Sequence, residues 1–172
     1  MNTVAAISQL LVAAAFVSIP LVRHRFGTAA KTAAEAELGR QGVPVTVLAE
    51  NNIRFDASGH ETAVPASVAA IMLVLAGLNL AGSGWGQLLT WIFGSIVLLG
   101  NCVILYSQLT AVKSVQAAFR RKGDPMLAGI DVPALLTASE AGFPAWVWVL
   151  QNVRHAVVFG ASALALVAVT VA

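Results

Sequence analysis

The side chains able to do acid–base, nucleophilic or metal chemistry are few and scattered. Of the three histidines, His24 lies between Arg23 and Arg25, His155 follows Arg154, and His60 stands apart. No pair has the spacing of a metal site. His24 and His155 read as interfacial anchors. Cys102 is the single cysteine, so an intrachain disulfide and a cysteine-based metal cluster are excluded. In the middle of an apolar run it reads as a small filler. Asp124 and Asp131 would be the candidates for a metal-bound phosphotransferase, but the dense Asp pattern of membrane alcohol phosphotransferases is missing. They are expected to stop and cap helices. The chain has no Cys-x-x-Cys, no Gly-x-Ser-x-Gly and no P-loop, and the glycine-rich stretch 81–86 has no lysine after it. No catalytic residue, cofactor or metal is expected, and the chain is read as a non-enzyme.

A second set of polar residues lies inside apolar runs: Ser8, Gln9, Asn79, Asn101, Tyr106, Ser107 and Gln108. In lipid, a side-chain amide is satisfied by bonding to a neighbouring helix, at about 0.6–2 kcal/mol. Asn79, Asn101 and Gln108 are therefore expected in interhelical packing, with the lining of a substrate path as the alternative. No Asp, Glu, Lys or Arg sits deep in a span. Proton-coupled transport and ion conduction ordinarily need such a group. Small four-helix multidrug exporters carry an essential Glu in the first span, and this first span has none. An autonomous transporter is disfavoured.

The elements that hold these residues follow from charge. All ten Lys and Arg and all eight Asp and Glu fall in 23–61 or 113–154. The remaining stretches 1–22, 62–112 and 155–172 are uncharged. With 58% hydrophobic residues and a mean hydropathy of +0.82, this is the pattern that lipid selects. Four spans are expected, about 4–22, 64–81, 88–110 and 153–171, in one all-α polytopic membrane domain. The first apolar segment lacks a basic n-region and reads as a retained helix. Basic residues mark cytoplasmic loops. Both termini are then outside, loops 23–63 and 111–152 are cytoplasmic, and the location is a bacterial inner membrane. Arg23, Arg25, Arg120, Arg121, Lys122, Trp146, Trp148 and Arg154 are the expected interface anchors. A net charge of +2 implies no nucleic-acid partner.

The loops have internal order. Residues 28–41 read as a short juxtamembrane helix. The β-branched run from Val43, the Asn51-Asn52 pair and Ile53-Arg54-Phe55 allow either a hairpin or an ordered loop without strands. Residues 111–122 form a basic helix continuing the third span, which Gly123-Asp124-Pro125 stops. Asp131 with Pro133 opens another, over about 132–140. Small residues recur at i, i+4, notably Ala156 with Gly160 and Ala161 with Ala165, and such ridges let helices approach closely.

The loop sequence VTVLAENNIRFDASGHETAVPAS (45–67) leading into the second span, and the Trp146/Trp148 approach to the fourth, resemble the LucB-type accessory subunits of mycobacterial mammalian-cell-entry lipid importers. The whole layout is similar to small four-span actinobacterial membrane proteins. The resemblance implies a non-catalytic subunit docked beside a transporter's permease and ATPase; it assigns no functional residue. The expected function is an accessory or stabilising subunit of a larger membrane complex, such as a lipid transporter. The expected partners are other membrane-protein subunits and membrane lipids. Val45, Val47, Ile53 and Phe55 are the expected partner contact, because the extended apolar pieces there are too many for a small bundle to cover. The alternative is a small membrane enzyme or carrier for a lipid or other hydrophobic substrate.

Overall fold

The computed structural model describes residues 1–55 and 60–171. The described chain is all-helical and contains no strand. Its elements are α1 (Asn2–Arg40), α2 (Thr46–Glu50), α3 (His60–Leu80), α4 (Gly84–Leu109), α5 (Ala111–Lys122), α6 (Pro125–Ala128), α7 (Val132–Ala141) and α8 (Trp146–Thr170). Helices α1, α3, α4 and α8 are each long and apolar enough to cross a membrane.

The helix ends correct several expected boundaries. α1 does not stop at Pro20 or at the Arg23-His24-Arg25 cluster but runs unbroken to Arg40. A proline inside a helix removes one backbone bond. The Ala-, Glu- and Lys-rich residues that follow are strong helix formers and keep the helix going. The connection left between the expected spans 64–81 and 88–110 is shorter, because α4 already begins at Gly84. α5 is a separate helix, set off from α4 at Thr110.

Three helices end in the same way. Val43 N–H donates to Leu38 O while Gly42 N–H donates to Gly39 O, with Gly42 at φ 73°. The pattern recurs at Ser83 and Gly82 after α3, with Gly82 at φ 67°. These are Schellman caps, in which a left-handed residue turns the chain back onto the last helical carbonyls. The third closes α2: Ile53 N–H donates to Leu48 O, and Asn52 holds φ 53°. This explains why the hairpin does not form. A two-residue type I′ turn needs positive φ at both central residues, and Asn51 is at φ −106°. Asn51-Asn52 ends a helix instead.

The chain divides into two compact units. The first comprises Met1–Leu21, Ser58–Leu105 and Trp148–Ala172; the second comprises Val22–Ala57 and Tyr106–Val147. The first unit has a core in which Val12, Phe16, Met72, Leu75, Val97 and Val158 meet. Its outer surface is as apolar as its interior, with Leu73, Val74, Ile96, Leu99 and Val103 all exposed. That is the surface of a bundle solvated by lipid. On α4, Trp85 and Tyr106 are both exposed and stand 21 residues apart, about 32 Å at 1.5 Å per residue. That separation matches a hydrocarbon layer of about 30 Å with amphipathic rings at its edges.

The second unit has its own core, in which Leu38, Val47, Leu48, Phe119, Leu127 and Leu135 pack together. Gly142 is what allows α7 to end against α1. A Cβ there would lie 2.5 Å from Ala30 Cα and 2.7 Å from Ala30 N. Caps define the short helices: Asp124 accepts from Met126 N–H at 2.8 Å, and Asp131 accepts from Ala134 N–H at 3.0 Å. Both aspartates thus stop and cap helices as their spacing suggests. Gln41 ties the end of α1 to the start of α7, accepting from Asp131 N–H at 2.9 Å and donating to Asp131 O at 3.3 Å.

Candidate functional site

In the first unit, the polar residues of three spans converge. Asn79 Nδ2 donates to Gln9 Oε1 at 3.1 Å and to Thr90 Oγ1 at 2.9 Å, and shares a hydrogen with Leu75 O at 3.0 Å. Gln9 Nε2 donates to Thr90 Oγ1 at 2.7 Å, and Thr90 Oγ1 donates to Gly86 O at 2.6 Å. All three side chains are almost wholly buried. The site depends on Gly86, where a Cβ would fall 3.0 Å from Asn79 N and 3.2 Å from Asn79 Oδ1. The bare Cα lets α4 lie against the backbone of α3 and brings Thr90 within reach of Asn79. This cluster joins α1, α3 and α4 through neutral amides and one hydroxyl. It holds no group that can accept or lose a proton near neutral pH.

A second pair links α4 to α8. His155 Nδ1 lies 3.2 Å from Asn101 Oδ1, and both residues are buried. His155 is therefore not the interfacial anchor expected from its place beside Arg154. It faces the bundle interior, one position along the helix. Asn101 Nδ2 is buried with no hydrogen-bond partner, and a buried donor left unpaired costs about 1–3 kcal/mol.

In the second unit, the end of α2 and one face of α5 enclose a groove of about 420 Å³. Ile53, Val115, Ala118 and Phe119 line its apolar part, with Glu50, Asn52, Ser114 and Lys122 around them.

The other expected site residues fall as follows. Gln108 is exposed, so it does not lie within the packed interior. Ala161 is buried, whereas Ala156 and Gly160 face outward, with nothing within 4 Å of a Cβ built on Gly160. Among the expected anchors, Arg120, Arg121, Lys122, Trp146 and Trp148 are exposed, and Arg154 is half-buried. Arg23 donates to Arg54 O at 2.8 Å. Arg25 lies 5.7 Å over the Phe26 ring, which also meets Trp146 edge-on. Of the expected partner contacts, Val47 is only 1% exposed and belongs to the core, and Ile53 and Phe55 pack against that core. The argument that this segment is uncovered fails for them, because α2 is an amphipathic turn rather than a strand. Val45 remains open at 48%.

Two residues that sequence reasoning undervalued are Thr90 and His155. Thr90 had no signal except that a β-branched hydroxyl in a span often bonds back to the i−4 carbonyl, as it does here to Gly86. Among the described residues, no group of three or more His, Cys, Asp or Glu is placed to hold a metal ion. Compared with known protein families, with curated proteins and with solved structures, the chain matches none.

Proposed function

We propose that this chain is a non-catalytic accessory subunit of a larger bacterial inner-membrane complex, with both termini outside and both charged loops in the cytoplasm. The observation that carries the reading is the outward ridge of α8. Ala161, Ala165 and Ala168 use one face of that helix for packing inside the bundle. Ala156 and Gly160 leave a second small-residue face open. A helix face that meets only lipid gains nothing from small residues, whereas a face that meets another helix gains close backbone approach. A lipid transporter is the candidate complex, from the loop and Trp pattern at 45–67 and 146–148. Val45, exposed in the second unit, is a separate candidate contact.

Replacing Ala156 and Gly160 together by Leu should leave the bundle folded and release the protein from its complex in mild detergent. Undiminished co-purification of every partner would sink the proposal. Orientation is tested on a Cys102→Ser background. Gly84→Cys should label from outside and Glu50→Cys should not; the reverse pattern would invert the map.

One observation favours the carrier alternative, namely the unpartnered Asn101 Nδ2 donor. Under that reading Asn101→Leu abolishes substrate binding, while under the accessory reading it leaves the complex intact.

A further inference from the structure

We infer that the solvent face of α5 is a binding site for the headgroups of anionic phospholipids. The four basic residues of α5 differ from most of those in the first loop in how they are used. Lys31 pairs with Glu35 and Arg40 with Glu37, each on its own helix. Arg23 is spent on a backbone carbonyl and Arg25 on an aromatic ring. Lys113, Arg120, Arg121 and Lys122 are all exposed, and none forms a salt bridge to a described acidic residue; Arg121 donates only its Nε, to Ala117 O at 3.3 Å on its own helix.

Helical spacing sorts these residues. Val112, Val115 and Phe119 turn toward the core of the second unit, with Phe119 almost wholly buried. At 3.6 residues per turn, Lys113, Ala117, Arg120 and Arg121 share the opposite face. Ala117 and Ser114 are small, so three cations surround a shallow, uncrowded strip. Lys122 lies to one side, at the groove beside Ala118.

Chain connectivity keeps the start of this strip near the end of a span. Only Thr110 separates the last residue of α4, Leu109, from Ala111. Lys113 is therefore at most about 14 Å of chain from the end of a span, within the depth of a headgroup layer. The face carries no large apolar side chain to insert, so it contacts lipid by charge alone. A cytoplasmic leaflet rich in anionic lipid attracts a basic segment by about 1 kcal/mol per residue, a factor of about five each. An acidic protein surface is the competing partner. Lipid is favoured because it is already present at the end of α4, wherever the chain is inserted. The inference rests on the proposed orientation, with this loop in the cytoplasm, and not on any role as a subunit.

The test is native mass spectrometry of the full chain in mild detergent, titrated with phosphatidylglycerol or with phosphatidylcholine. The wild type should retain phosphatidylglycerol selectively. Retention should fall steeply between about 0.05 and 0.5 M salt, because exposed charges are screened. Changing Lys113, Arg120 and Arg121 together to Gln should lower phosphatidylglycerol retention at least tenfold and leave phosphatidylcholine unchanged. The double control Lys31→Gln/Arg40→Gln should behave as wild type. Three outcomes overturn the inference: equal retention by the triple variant, salt-independent retention by the wild type, or preferential binding of a soluble polyglutamate peptide. If the triple variant does not fold, salt-independent retention by the wild type still overturns the inference, and Lys113→Gln alone, which should lower phosphatidylglycerol retention severalfold, still tests the site.

Discussion

Gly142→Ala is a one-carbon change with a large expected effect. An alanine Cβ would meet Ala30 Cα at 2.5 Å, Ala30 N at 2.7 Å and Ala29 O at 2.8 Å. Favourable carbon contacts lie at about 3.5–4.0 Å, so the two segments must separate by about 1 Å. All three obstructing atoms are backbone, and no side chain can rotate away. Backbone φ at Gly142 is −72°, so the penalty is purely steric. Overpacking of this kind costs about 1–3 kcal/mol, and backbone opposition puts this site at the upper end. In a domain of roughly 60–100 residues each kcal/mol lowers Tm by about 4–8 °C. Thermal melts followed by near-ultraviolet circular dichroism would report it, since Trp146 packs edge-on against Phe26 in the same unit. Gly160→Ala is the matched control, with nothing within 4 Å of its Cβ, and should stay within about 0.5 kcal/mol of wild type. Equal melts for Gly142→Ala and Gly160→Ala would refute the close approach of α7 to α1.

Two further outcomes are expected. A double-mutant cycle with Asn79→Leu and Thr90→Val should show a coupling of about 0.6–2 kcal/mol in detergent unfolding, and zero coupling would mean that the buried hydrogen bond between them contributes nothing. Asp131→Ala removes the cap on Ala134 N–H and should cost the second unit about 1 kcal/mol; Asp131→Asn, which can still accept that bond, should recover most of it in the same melt.

The sequence by itself determined that the chain is helical and has four segments long and apolar enough to cross a membrane, because both follow from local rules. A span is about 18 or more consecutive apolar residues, and nothing elsewhere in the chain changes that count. Helix caps are equally local: the Asp124 and Asp131 signals and the Gly123 stop lie within a few residues of what they cap. The break between α2 and the segment after it was only half legible. Asn51-Asn52 announces a reversal, but hairpin turn and helix cap differ in one φ angle, and the choice rests on Val47 and Leu48 reaching the core with Leu38 and Phe119. Long-range partnerships were not legible at all. Gln9 and Thr90 are 81 positions apart, and Asn101 and His155 are 54 apart. Which amide meets which hydroxyl depends on how the helices rotate about their axes, and periodicity leaves that rotation open in a helix apolar on every side. The same freedom hid Gly86 and Gly142, whose glycines look ordinary in the chain. Only the tertiary structure shows another backbone where their side chains would have been.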